Sequence, residues 1–524
     1  MLHKMEYVAM RDGVKLFTNI WLPAESGKFP TILIRSPYDT PKNYANEPED
    51  FGFAYVMQSC RGTAASQGDM EPYRNERRDS LDTLDWLRRQ SFYNGEIIPS
   101  GGSYLSTVHL LYLDTCPPDI RGAILNVQDN DRYNIHYENG QYKAGLHLGW
   151  ALSIFYRTHP EVRGPHYAAA DWYNMRPMLE TKERVLGGTA ASSFDETFEA
   201  FVHPRADDPY WTTAPCASDG IHALERLQVP VFLSTAHYDI YIHGVPKMWE
   251  ALLPETRKKS MFVISPYTHR WSARGPHPFE NDRVGQLAAI TKNWANYART
   301  GVLEGMEGFE LGKTNYYVLF GGRWQAEEFL SDGAEEKTLY FGDRSLDDAP
   351  TQGSASYDYD PAKPTEFAGN CGNVFGEMKV QTEPEGALIF RSAPMKETVT
   401  VKGVQKIRLK VRSDCEDTAF YVRLSLVQAD GTAYGIRDRI TSLSYELGSY
   451  TPGEEAEITL ALDPVAFEVK AGESLRVDVA SSYAEAYIPH PNVAGLWCAV
   501  RETKVAHNTV IFGDSALMLK YDRN

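Results

Sequence analysis

Short apolar runs, separated by stretches of helical spacing, fill the N-terminal part of the chain. They restrict its fold more than any other feature. Val14–Leu22 alternates apolar and polar residues behind the turn Arg11-Asp12-Gly13. Thr31–Ile34 and Phe53–Met57 are brief and mostly apolar, as in strands buried on both faces. Residues 76–90 carry Leu81, Leu84 and Leu87 among charges, which predicts an amphipathic helix. Glu96–Ser100 then runs into Gly101-Gly102-Ser103, Tyr104–Thr115 reads as helix, and Gly122–Val127 as the next strand. Such alternation predicts a parallel sheet with crossover helices.

From residue 128 to 225 the strand pattern gives way to Trp, Tyr, His and Pro with short helical stretches, as expected of an insertion between sheet strands. Pro230–Ser234 and Met261–Ile264 resume the sheet, and a helix over 281–299 closes it. After residue 315 the alternation is that of β structure: Tyr316–Phe320, Gln405–Val411, Phe420–Leu426, Ala456–Leu462 and Ser474–Val479. Turns such as Ala429-Asp430-Gly431 and Pro452-Gly453 separate these runs, which predicts a β-sandwich. The 524 residues exceed what one core holds, roughly 250–300. The expected division is an α/β catalytic domain from 1–127 and 226–314, a helical cap from 128–225 and a β-sandwich from 315–524.

A net charge of −17 opposes phosphate backbones and anionic membranes, so nucleic-acid and membrane partners are not expected. Six cysteines are scattered without CxxC or zinc-type spacing, and free thiols are expected. The start, MLHKMEYVAMRDG, lacks the apolar core of a signal peptide, and no run of about 20 apolar residues occurs. A cytoplasmic location is the expectation.

Ser103 stands at a strand-to-helix junction. A nucleophile there needs a sharp turn, so that its Oγ projects from the sheet edge and the next backbone N–H faces the reacting carbonyl oxygen. Gly101 leaves room for the turn, and Gly102 adds freedom. The positive end of the following helix favours a developing oxyanion. The generic pattern has glycine two residues after the serine, where this chain has Leu105. Asp239 and His269 each lie just past a strand, where sites of open α/β sheets gather, and in the order Ser, Asp, His. A turn-forming Asp239 and a loop His269 are the plainer readings. Asp129 competes as the acid, and His237, His243 and His277 compete as the base.

These residues resemble the cocaine esterase-like (CocE/NonD) α/β-hydrolases. That group includes X-prolyl dipeptidyl peptidases, α-amino-acid ester hydrolases and glutaryl acylases. Their nucleophile motif is G-x-S-Y-x-G; this chain reads Gly101-Gly102-Ser103-Tyr104-Leu105-Ser106, with Ser106 for the last glycine. His237-Tyr238-Asp239 is similar to the family's acid segment, and Ser265-Pro266-Tyr267-Thr268-His269 to its base segment. Arg35-Ser36-Pro37-Tyr38 resembles the stretch whose tyrosine helps hold the oxyanion. The resemblance therefore implies Tyr38 and the Tyr104 amide as oxyanion donors. It also implies a structural loop around Arg61, Gly62, Ser66 and Gly68. Tyr359–Pro364 and Asp417–Phe420 look like landmarks of the family's C-terminal jelly-roll domain.

The expected chemistry is two-step acyl transfer on a small ester, amide or short peptide, with no metal or cofactor. Two alternatives stay open within enzymes: an X-Pro dipeptidyl peptidase, and an α-amino-acid ester hydrolase or β-lactam acylase. A third is an inactive carbohydrate-binding scaffold. Trp150, Tyr156 and Trp172 are candidate pocket aromatics, with cap core as their plainer role. Glu138 and Asp171 are candidate carboxylates for a substrate amine. Glycines at 301–312 follow a helix rather than a strand and do not make a dinucleotide motif.

Overall fold

The computed structural model describes residues 1–38, 51–129, 131–159, 175–182, 192–213, 220–269, 279–368 and 382–523. Its first sheet comprises β1 (Leu2–Ala9), β2 (Lys15–Leu22), β3 (Phe29–Ser36), β4 (Ala54–Ser59), β5 (Tyr93–Gly102), β6 (Ala123–Asn126), β7 (Val231–Tyr238), β8 (Met261–Thr268), β9 (Thr314–Val318) and β10 (Arg323–Glu327). They lie in the order β1-β2-β4-β3-β5-β6-β7-β8-β9-β10. From β4 to β9 every pairing is parallel. Antiparallel pairs finish both edges. The apolar runs are the strands of the middle: every residue of β4 and of β7 is buried. Helices α1 (Glu76–Leu87) and α2 (Tyr104–Leu113) cover the sheet, with Leu84, Leu87, Leu110 and Leu113 in one core.

The segment Tyr316–Phe320, grouped by its alternation with the sandwich, instead supplies β9 of the first sheet. Parallel pairing with β8 and closure by β10 bury all of Thr314–Val318, and a local pattern cannot reveal which sheet accepts it. The helix expected over 281–299 is two pieces, Val284–Ala288 and Ile290–Thr300. Gly301 ends the second in the left-handed conformation (φ 74°), which glycine adopts without strain.

The chain's last strand, Ala506–Arg523, organises the C-terminal β structure. It pairs with Glu335–Phe341, Ser354–Tyr359, Val399–Gly403 and Lys406–Ser413 within a twelve-stranded sheet network. Its apolar core also takes in Tyr238, Phe279 and Tyr317 from the catalytic side. The cap contains short helices and one small ribbon, Tyr137–Glu138 with Gln141–Tyr142. Its aromatic core closes on Ile488 and Trp497 of the C-terminal region. Ile154 and Trp150 of the same segment also pack on Tyr73, Tyr104 and Val108 beside the first sheet. Cys60, Cys116, Cys415 and Cys498 are free thiols, and Cys216 and Cys371 lie outside the described residues. Among the described residues no helix is long and apolar enough to cross a membrane.

Candidate active site

Strand β5 ends at Gly102 and α2 begins at Tyr104, so Ser103 makes the turn between them. Its φ of 58° and ψ of −133° lie in a region costly for a residue with a side chain. The Ser103 N–H donates to Asn126 O at 2.9 Å, and its carbonyl accepts from Ser106 N at 2.8 Å. A Cβ on Gly101 would stand 2.4 Å from the Leu105 carbonyl carbon, so glycine alone lets the helix start this close to the strand. Ser106 fills the place of the motif's last glycine with a purpose. Its hydroxyl donates to Gly101 O at 2.7 Å and accepts from Asn126 N at 3.0 Å, tying β5 and β6 to the helix. Tyr104, as the first helical residue, has no intrahelical acceptor for its N–H.

Asp239 follows β7, and His269 follows β8. His269 Nδ1 lies 3.0 Å from Asp239 Oδ1, and that same oxygen accepts from Tyr241 N at 3.1 Å. Thr235 Oγ1 donates to Asp239 Oδ2 at 3.2 Å. A carboxylate against Nδ1 favours the tautomer with its proton there, which leaves Nε2 as a base.

Ser103, Tyr38 and His269 line one pocket of about 490 Å³. The Tyr38 hydroxyl accepts from the Trp150 indole N–H at 3.0 Å. Burial pushes the Tyr38 phenol above its usual pKa, partly countered by Trp150, Arg157 and the Ser103 hydroxyl, so it stays a neutral donor. Trp150 stacks on Tyr104 with ring centroids 5.0 Å apart. The Tyr104 hydroxyl donates to Glu76 Oε1 at 2.6 Å, which fixes the ring under the pocket. Tyr73, Gln128, Tyr241 and Arg157 also line the pocket and were missed in the sequence. Of these, only Tyr241 carried a signal, two residues beyond Asp239. Among the described lining residues there is no carboxylate.

Tyr156 is not among the described pocket-lining residues; it is half-buried against the cap core, beside Phe155. Trp172, Asp171 and His277 lie outside the described residues. Glu138 accepts from Tyr487 at 2.7 Å, pairs with Arg439 at 3.2 Å and lines a separate small cavity. Asp129 pairs with His243 at 2.9 Å, and His243 lines that small cavity too. His237 is fully buried, with Nε2 on Tyr317 O at 2.7 Å. Arg61 grips Asp79 with two bonds, at 2.9 and 2.7 Å, and a Cβ on Gly62 would meet Met70 N at 2.2 Å. The loop around them is therefore built for shape.

One buried cluster has the donor types of a metal centre: His136, His147 and Glu196, with ligand atoms within 4.8 Å of one another. Glu196 already faces the Arg132 guanidinium, His136 at 2.8 Å and His147 at 3.3 Å. The guanidinium supplies the positive charge that a cation would bring, so the carboxylate is compensated from within the chain.

Two family models match the sequence. The X-Pro dipeptidyl-peptidase (S15 family) model covers residues 12–271, and the X-Pro dipeptidyl-peptidase C-terminal non-catalytic domain covers residues 308–516. Cocaine esterase from Rhodococcus sp. (strain MB1 Bresler) is 22% identical, across 93% of this chain and 92% of that protein. An aminopeptidase structure from the marine sediment archaeon Thaumarchaeota archaeon superposes with a TM-score of 0.82 at 19% identity, covering 99% of this chain and 96% of its own. An α-amino acid ester hydrolase structure also gives 0.82, at 18% identity and the same coverage. At such identities the structural likenesses establish the fold.

Proposed function

The chain belongs to the X-Pro dipeptidyl-peptidase family of serine hydrolases, and on that premise we propose that it cleaves esters of small neutral acyl groups through Ser103, His269 and Asp239. One observation carries the reading: a serine held at positive φ shares a pocket with a histidine tied to a buried aspartate. His269 Nε2 takes the Ser103 proton as Oγ attacks the substrate carbonyl carbon. The carbonyl oxygen becomes an oxyanion, which receives the Tyr38 O–H and the Tyr104 N–H. As the tetrahedral species collapses, the bond to the leaving oxygen breaks and His269 returns the proton to it. Water then attacks the acyl-serine in the same manner and frees the acid.

The pocket also favours one substrate class over another. A peptidase that releases dipeptides must hold a free ammonium group, which calls for a carboxylate. The described lining offers Arg157 and aromatic rings instead, with Trp150, Tyr104 and Tyr73 forming an apolar wall. This supports esterase over aminopeptidase activity.

The test has two arms. A fluorophosphonate probe is expected to label wild-type protein at Ser103 and to leave the Ser103→Ala variant unmodified. Aryl esters of neutral acids are expected to turn over faster than Ala-Pro-nitroanilide. No labelling beside reactive control hydrolases would sink the mechanism, and a preference for the nitroanilide would sink the substrate reading.

A further inference from the structure

A buried arginine of the C-terminal β domain reaches the acid side of the candidate triad. Strand Ala433–Ser442 pairs with Ala419–Val427, and its register slips by one residue: Gly435 faces Ser425, but Arg437 faces Leu424. Ile436 is therefore an extra residue, a bulge that re-aims the side chain after it. Arg437 is 4% exposed and points across the domain boundary. Its Nη1 donates to the His237 carbonyl at 2.6 Å, and its Nη2 lies 3.1 Å from His237 Nδ1. A third bond goes from Nη2 to Pro464 O at 2.8 Å, which anchors the guanidinium to its own domain.

This contact defines the state of His237. Its Nε2 meets the Tyr317 carbonyl at 2.7 Å and so carries the proton. Its Nδ1 is left as an acceptor for Arg437. Burial, with the nearby guanidinium, drives the imidazole pKa down to about 3, so the ring is neutral. Both His237 contacts with Arg437 fall two residues before Asp239, at the end of β7. Asp239 itself is held by Thr235 and Tyr241, which belong to the same short stretch as His237. Arg437 and Asp239 also line one small cavity of about 70 Å³.

We infer that Arg437 is a positioning residue for the acid of the triad, so that the C-terminal domain completes the catalytic machinery besides covering it. It acts through His237 by holding the β7 terminus where Asp239 Oδ1 meets His269 Nδ1. The inference rests on the triad reading above.

The experiment uses the full chain and compares Arg437→Lys and Arg437→Met with Arg439→Met. Arg439 lies on the same strand and in an equally charged network, yet binds Asp463 and Glu138 rather than the acid loop. Arg437→Met is expected to lower kcat at least tenfold with KM within twofold of wild type. Fluorophosphonate labelling should slow by a similar factor, and the acid limb of the kcat/KM profile, which reports the His269 base, should move. Arg437→Lys, which can reach the carbonyl or the ring but not both, should fall between. Arg439→Met should keep kcat within twofold at whatever melting temperature it shows. Wild-type-like kcat in Arg437→Met, or an equal loss in Arg439→Met, would overturn the inference. If Arg437→Met does not fold, Arg437→Lys decides it: unchanged kcat and pH profile refute the role. Failure of wild-type labelling would instead refute the triad, and the two failures are told apart by that control.

Discussion

At Ser103 the backbone carries strain that nearby groups hold in place. The φ of 58° is fixed by the short approach of α2 to Gly101, by the bond from the Ser103 N–H to Asn126 O in β6 and by the bonds its carbonyl accepts from Ser106 N and Thr107 N in α2. Across the pocket, Tyr38 is prepared in a complementary way. The Trp150 indole donates to its oxygen at 3.0 Å, so under the proposed mechanism the phenol proton is the group offered to the oxyanion. Losing one such donor costs roughly 2.7–4 kcal/mol of barrier, or about 10²–10³ in rate. Tyr38→Phe is accordingly expected to lower kcat by about two to three orders of magnitude while KM changes little. Steady-state kinetics on an aryl ester check this. A large rise in KM with kcat preserved would show that the hydroxyl binds the ground state instead. The same residue shows why local sequence has limits. Arg35-Ser36-Pro37-Tyr38 marked the tyrosine through resemblance alone, because nothing in its neighbours foretells that Trp150, over a hundred positions away, will donate to it. Ser103 was readable from its strand–glycine–serine–helix context, whereas Arg437 had no local signal.

At the scale of elements, the C-terminal domain shows how one carboxylate ties distant turns together. Asp417 accepts from Thr418 N and Ser444 N, both at 2.9 Å, and pairs with His490 at 3.2 Å. It thereby joins the short helix Leu443–Leu447 to the strand that begins at Ala419. Burial alone would raise this carboxyl, but His490 and Ser444 outweigh it and hold it below the usual range. A depressed folded pKa stabilises the fold above the unfolded value of 3.8 and ceases to do so as pH falls through the folded value. Asp417→Asn places an amide among groups that donate, and should destabilise by about 1–3 kcal/mol at neutral pH. Urea melts should show the gap at pH 7 and its narrowing below pH 3.8, where the wild-type carboxyl gains its own proton. A constant gap would refute the charge-based account. Element type was legible here because alternation and turn signals are local. Sheet membership was not: Thr314–Val318 alternates like its successors, yet its partner is Met261–Thr268, far back in sequence. The parallel pairing, set by burial on both faces, decides where it goes.

For the molecule as a whole, four buried imidazoles, His109, His136, His147 and His237, share a vulnerability to acid, all held below their ordinary value chiefly by burial. His109, His147 and His237 are pushed down to about 3, each chiefly by burial, from an ordinary value of 6.5. His109 lies in α2, His147 at the edge of the pocket and His237 at the end of β7. Each stays neutral in the native state but binds a proton once the chain unfolds below pH 6.5, so stability falls with pH. Asp438 works in the opposite sense. Burial, against the pull of Arg423, raises its carboxyl to about 6, so the native state holds a proton that the unfolded chain releases above 3.8. Glu76, Asp131 and Asp478 are raised in the same sense as Asp438, again chiefly by burial, so the carboxyls oppose the imidazoles. Each such imidazole contributes up to about one proton taken up on unfolding below its ordinary value, or roughly 1.4 kcal/mol of stability per pH unit. Urea melts of wild type and of a single-histidine variant at pH 7, 6 and 5 read this contribution as a difference in slope. His237→Gln should flatten the slope by about one proton. The Arg437 contact adds a second consequence. Protonating His237 would place a cation against the guanidinium, so activity and the β7 terminus should fail together on acidification. An activity loss that runs well ahead of unfolding would detach the two, and a slope in His237→Gln equal to that of wild type would refute the neutral, buried state of this ring.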